Sequence, residues 1–243
     1  MFGQQKRRMR KIAGLVLCLC IMLAGGGCGG TRYVPFETAE KTKALPVRTV
    51  AVDVDPEFFE DFPDCTVIMP PKAPASVAGY SRSVESALSR HLTAKISRVV
   101  SPKERNLVAR RMGVDMRHPG DFRDLMKELG CDTYVKSEIV GAGKFFLLVW
   151  SQMRIGLDVS LLRVGGERPL WRARHVAGRS DGGIPLSPVG VVVDAFMALR
   201  FSADMDVDVS VVEDAVRRLV YSLPDAKIYH GRGSFRSVSG GQN

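Results

Sequence analysis

Ser151-Gln-Met-Arg-Ile-Gly-Leu-Asp-Val-Ser-Leu-Leu-Arg-Val164 is the stretch that decides the fold. Met153, Ile155, Leu157, Val159 and Leu161 fall on one side of a period of two. Gln152, Arg154, Gly156, Asp158 and Ser160 fall on the other. A strand of this length with one greasy face needs cover along that face. Gly165-Gly166 turns the chain, and Pro169 to Val176 returns with Trp171 and Ala173 on one side, an antiparallel hairpin.

Upstream, Cys131 to Ala142 reads as another strand. A helix precedes it from about Asp121, with Phe122, Leu125, Met126 and Leu129 inward and Gly130 as its stop. Ser101-Pro102-Lys103-Glu104 predicts a capped helix start, and that helix ends at Gly113. Ile96 to Val100 is a strand. Val77, Tyr80, Val84, Leu88 and Leu92 recur at helical spacing over about 77–94. Thr66-Val-Ile-Met69, closed by Pro70-Pro71, predicts a short buried central strand. Val47 to Val54 is β-branched and alternating, so it is read as a strand. The aromatics Phe58, Phe59 and Phe62 fit one helical turn on the core.

Downstream, the apolar 188–201 segment fits a helix, although Val191-Val-Val193 also suits a strand. It is open between core and a self-association or membrane contact. Ser210-Val-Val-Glu213 looks like a second capping box before a helix with Val212, Val216, Leu219 and Val220 inward. The order predicts an α/β (α+β) fold: a single mixed sheet with a parallel βαβ part, an antiparallel hairpin and flanking helices.

The amino terminus supplies an address. Lys6, Arg7, Arg8, Arg10 and Lys11 precede an apolar run from Ile12 to Ala24 that ends in small residues. This is the pattern of a secretory signal. Even extended to Gly27 the run has about 16 residues, short of the roughly 20 that span a bilayer core. Leu23-Ala-Gly-Gly-Gly27-Cys28 resembles a bacterial lipoprotein processing site, with Gly25 standing where that pattern prefers Leu. The resemblance implies that Cys28 becomes the lipid-bearing first residue. Gly29 in place of Asp implies the periplasmic face of the outer membrane. Ordinary cleavage and an uncleaved anchor are the alternatives. The expected layout is 1–27 signal peptide, 28–46 lipidated tether, 47–224 α/β domain and 225–243 disordered tail.

That address changes the counts. The formal charge of +9 shrinks once the five signal cations leave, since 30 basic residues then face 26 acidic ones, a surplus of four. No clustered basic footprint for nucleic acid remains. Cys18 and Cys20 leave with the signal and Cys28 takes lipid, so Cys65 and Cys131 are a candidate disulfide in an oxidising compartment. Two buried thiols are the other reading.

A further resemblance rests on Thr66-Val-Ile-Met-Pro-Pro71, on Leu125-Met-Lys-Glu-Leu-Gly-Cys-Asp-Thr-Tyr-Val135, and on the long alternating strand with Leu170-Trp171 on its return. From about Val47 to Leu223 this order is similar to a group of periplasmic lipoproteins. The group includes curli-secretion lipoproteins, lipoprotein activators of penicillin-binding proteins and the amino-terminal domain of TolB. The resemblance implies a non-catalytic accessory or assembly subunit that binds envelope proteins, with homo-oligomers and an oligomeric curli-type secretion component as alternatives. Spanning hairpins would need a pair of amphipathic strands of about 9–11 residues each, and no such pair stands outside the core strands.

Catalytic constellations are sparse, although a periplasmic enzyme without a recognisable site stays an alternative. His91, His118, His175 and His230 have no partner at metal-ligand spacing, and no cofactor or metal is expected. Asp204-Met-Asp206-Val-Asp208 lacks the Gly and the distal acid of a calcium loop, having Val209 and Ala215 instead. Gly141-Ala-Gly143-Lys144 lacks the rest of a phosphate loop. Asp53, Asp55, Glu57, Glu60, Asp61 and Asp64 form an acidic cluster, read as a solvated face or a docking patch. Phe145, Phe146, Leu147, Leu148, Val149 and Trp150 are either a hairpin tip for partner or membrane contact, or core. For the anchor, Cys28→Ser should abolish metabolic lipid labelling and release the protein from membranes; unchanged retention in a fractionation assay would contradict the address.

Overall fold

The computed structural model describes residues 30–41, 45–46, 48–147, 150–182 and 205–228. The signal and Cys28, Leu148 and Val149, the 188–201 segment, Asp204 and His230 therefore lie outside the described residues.

Seven strands form one sheet: β1 (Arg32–Pro35), β2 (Thr49–Val54), β3 (Cys65–Ile68), β4 (Arg98–Val100), β5 (Thr133–Leu147), β6 (Trp150–Arg163) and β7 (Pro169–Gly182). Their order is β1-β2-β7-β6-β5-β3-β4. The pairs β3–β4, β3–β5 and β1–β2 are parallel, while β5–β6, β6–β7 and β2–β7 are antiparallel. The mixed sheet read from the alternation is present. β6 sits in its middle, and Met153, Ile155, Leu157, Val159 and Leu161 are all fully buried.

Two helices cover that buried face: α3 (Ser81–Leu92), entered through a 3-10 turn at Ala75–Tyr80, and α6 (Met205–Tyr221). Val84, Leu88 and Leu92 from α3 and Val212, Val216 and Leu219 from α6 join the β6 side chains in one cluster with Trp171. Trp171 Nε1 donates to Ser222 Oγ at 3.2 Å, which fixes the end of α6 on the sheet. On the opposite face, α4 (Pro102–Met112) and α5 (Pro119–Leu129) cover β3 and β4 through Ala109, Leu125, Met126 and Leu129. The expected cap is formed, with Ser101 Oγ accepting from the Glu104 amide. Both helices end on left-handed glycines, Gly113 and Gly130, where a side chain would be strained. A single short turn, α2 (Glu57–Glu60), puts Phe58 into the core and leaves Phe59 half-exposed.

Several expectations are corrected. The described part of the expected 28–46 tether belongs to the domain: Arg32–Pro35 is an edge strand beside β2, and α1 (Phe36–Lys41) follows it. Phe36, Ala39, Leu45 and Ala51 bury one another. Short elements with Pro at 35 and 46 carry no resolvable period, but Phe36 and Leu45 are apolar enough to dock. At the other end, Ala226 is fully buried, so the first residues of the expected 225–243 tail also pack. Ser210 does not cap a helix. α6 begins five residues earlier, the Ser210 hydroxyl accepts from Arg179, and Glu213 pairs with His91.

His175 lies fully buried on the covered face of β7. Its Nδ1 donates to the Thr49 carbonyl at 2.8 Å, and its Nε2 has no partner among the described residues. Burial pushes its pKa below the ordinary histidine value; Arg218 adds to this, while the Thr49 bond and Asp214 oppose it. The unfolded chain therefore binds this proton more readily. Stability is intact above about pH 6.5 and falls below it, by at most about 1.4 kcal/mol per pH unit. Thermal melts between about pH 7 and about pH 5 should show this slope, and His175→Gln should remove it.

Candidate functional site

Among the described residues, the sheet is open at Gly141 and Gly143, where nothing lies within 4 Å of an added Cβ. The far halves of β5 and β7 run on past their pairing with β3 and β2. β3 pairs with β5 only up to Val135, apart from one bridge between Lys72 and Glu138. β2 pairs with β7 only from Trp171 to His175. Beyond those points β5, β6 and β7 continue together as a three-stranded arm, to Leu147 opposite Trp150 and to Gly182. Among the described residues both outer edges of the arm lack a neighbouring strand, which is where another chain can add main-chain hydrogen bonds.

A bulge shapes the root of the arm. Val140 is the extra residue between the pairs Ile139–Leu157 and Gly141–Gly156. Its side chain folds over Gly156, where an added Cβ would come within 2.7 Å of Val140 Cγ2, so only glycine fits there. Val140 itself stays 49% exposed. Gly141 and Gly143 face open space. Together with Ala39, Leu45, Val176, Arg154 and Arg174 they line a groove of about 530 Å³. The Arg174 guanidinium is held by Asp158 at 2.5 Å and stacks near Phe36. Arg154 is exposed, and none of the described side chains pairs with it. The groove thus offers an apolar wall, a floor without side chains and the exposed Arg154. Those features suit an extended peptide and supply no nucleophile or base.

The residues singled out in the sequence do not converge. Phe145, Phe146, Leu147 and Trp150 contribute backbone to the arm, at its far end, with Leu148 and Val149 between them outside the described residues. Cys65 and Cys131 are joined by a disulfide with Cα atoms 5.1 Å apart, linking β3 to the approach of β5 under α5. The acidic cluster is largely engaged within the chain. Arg163 meets Glu57, Asp61 and Asp132, Arg172 meets Asp53, and Asp55 accepts from the Glu57 amide. His91 bridges to Glu213 at 2.7 Å and His118 to Asp121 at 3.2 Å. No group of three metal-ligating side chains occurs among the described residues. Arg105, only 2% exposed, was not singled out from the sequence. It ties α4 to Glu85 on α3 at 2.9 Å and to the Ile68 carbonyl at the end of β3. It is a buried strut whose partners are all within the fold.

The groove's signal in the sequence was the glycine pair at 141 and 143, which reads there only as an incomplete phosphate loop.

No family model matches the chain, and no curated protein matches it. Among solved structures it is similar to the PelC dodecamer from Paraburkholderia phytofirmans, at 11% identity over 71% of this chain and 96% of that one, with a TM-score of 0.40. It is also similar to lipoprotein GNA1162 from Neisseria meningitidis, at 15% identity over 58% of this chain and 100% of that one, TM-score 0.38. A third is the LpoB carboxy-terminal domain from Salmonella enterica, at 11% identity over 47% of this chain and 82% of that one, TM-score 0.31. The second of these is a lipoprotein. At such scores the likeness carries no argument about what this chain does.

The disulfide gives a direct test of compartment and stability. It closes a loop with a sequence separation of 66. Chain entropy for a loop of that size is worth about 4 kcal/mol. Cys65→Ala with Cys131→Ala should therefore lower the Tm by roughly 10 °C. Mass spectrometry of protein taken from its native envelope should find no free thiol at either position; two alkylatable thiols would overturn the bond.

Proposed function

We propose that the chain is a non-catalytic, lipid-anchored accessory protein of the bacterial envelope, held on the periplasmic face of the outer membrane, that docks a protein partner on the bare arm. The observation that carries this reading is the groove at the root of β5, β6 and β7. Three glycines, a bulged valine and the exposed Arg154 line it, and among the described residues Gly141 and Gly143 face open space. The signal and Cys28 supply the anchor in this reading. An acidic or carboxylate-bearing extended segment would suit Arg154 and the open edge of β5.

A second reading, an oligomeric secretion component, is favoured by the arm's two edges, which among the described residues have no neighbouring strand. Edge-to-edge addition of a second copy would use the same backbone groups.

Filling the groove separates these ideas from a purely structural role. Gly141→Val with Gly143→Val places methyl groups in open space, so the Tm should hold within a few degrees. Crosslinking and pull-down from native membranes should recover an envelope protein with the wild-type chain and several-fold less with the variant. Equal recovery would remove the groove from the reading. Copies of the chain alone would favour the oligomer.

A further inference from the structure

We propose that the surface formed by Tyr33, Tyr221, Lys95 and Lys227 lies against the anionic phospholipid headgroups of the membrane that anchors the chain. This inference rests on the lipidation of Cys28 in the proposed function.

It follows from how near Cys28 lies in the sequence to the folded domain. Thr31 Oγ1 accepts a hydrogen bond from Arg218 Nη1 at 2.6 Å, so Thr31 is already tied to α6. Three Cα steps separate Cys28 from Thr31, a reach of about 11 Å even when fully extended. A lipid on Cys28 would hold whatever surrounds Thr31 within that distance of the headgroups.

The chemistry around Thr31 suits that position. Tyr33, two residues on, is 37% exposed, and its hydroxyl donates to the Arg218 carbonyl. Its ring stacks on Tyr221 with centroids 6.2 Å apart, and Tyr221 is 72% exposed. Lys95 Nζ lies 5.7 Å from the Tyr221 ring. Lys227 donates to the Thr93 carbonyl, which brings it beside Lys95, and the exposed Ile228 follows it. Arg217 and Arg218 complete the cations, with Asp214 held between them. Burial alone would raise Asp214, but the hydrogen bonds from Arg218 and Arg217 override it and keep the carboxyl charged. Asp225, which accepts from the Lys227 amide, is the other acid, so four cations face two. Tyrosine rings flanked by Lys and Arg are the side chains that partition to a bilayer's interfacial layer.

The lipidated full chain, reconstituted into vesicles of phosphatidylethanolamine and phosphatidylglycerol, tests this with a photoactivatable headgroup phospholipid. Mass spectrometry should find lipid adducts several-fold enriched on the peptides holding Tyr33 and Tyr221 to Ile228, relative to peptides from α4 and α5. Tyr33→Ser with Tyr221→Ser and Lys95→Glu, still lipidated, should lose that enrichment. Even labelling of all peptides, with lipid confirmed on the Cys28 peptide, would overturn the surface and spare the anchor. A Cys28 peptide without lipid would overturn both.

Discussion

Burial of one face of β6 is the constraint on which the rest depends. Five alternate side chains, Met153 to Leu161, are fully covered, and a strand of fourteen residues needs cover along most of its length. α3 and α6 supply it, and each is held by a polar tie at its margin. His91 meets Glu213 between the helices, and Trp171 meets Ser222 at the sheet. Such exposed or half-exposed ties contribute on the order of 1 kcal/mol or less. Deleting one large buried apolar side chain costs about 2–5 kcal/mol. The apolar cluster therefore sets stability, and the polar ties set the seating of the helices.

The other face is built differently. Among the described residues two separate apolar clusters cover it, one under α4 and α5 and one under α1, where Val176 of β7 packs. The core face asks for cover everywhere, while the opposite face is covered at its two sides. Among the described residues the groove opens beside the α1 cover. Its glycines lower the surface further, because a residue without Cβ leaves backbone as the floor.

Much of the architecture was legible because its signals are periodic. The alternation in β6, the helical spacing of Val84, Leu88 and Leu92, and the glycine stops at Gly113 and Gly130 all act locally and survive into the fold. What stayed hidden depends on distant partners. β1 is a strand only because β2 lies beside it, and four residues ending in Pro35 carry no pattern of their own. The start of α6 is set by packing on β6 and β7 rather than by the Ser210 box. Arg105 reads in sequence as an ordinary helix-surface cation; its burial comes from Glu85, twenty residues away, and from the Ile68 carbonyl. The acidic cluster read as a solvated face, and the Arg163 and Arg172 side chains that engage it come from strands about a hundred residues later. The groove needed the bulge at Val140, and a bulge is visible only once two strands are in register.

The disulfide divides the molecule mechanically. Cys65 and Cys131 close a loop that contains α3, β4, α4 and α5. A pull between the amino-terminal end at Thr31 and a partner held on the arm runs through β1, β2, β7 and β6. It bypasses that loop. The weakest link on this path is the four-residue pairing of β1 with β2, reinforced by the Arg218–Thr31 bond. Under tension the edge strand would peel first and release α1 with it, lengthening the leash by about ten residues while the sheet and its covered face stay whole.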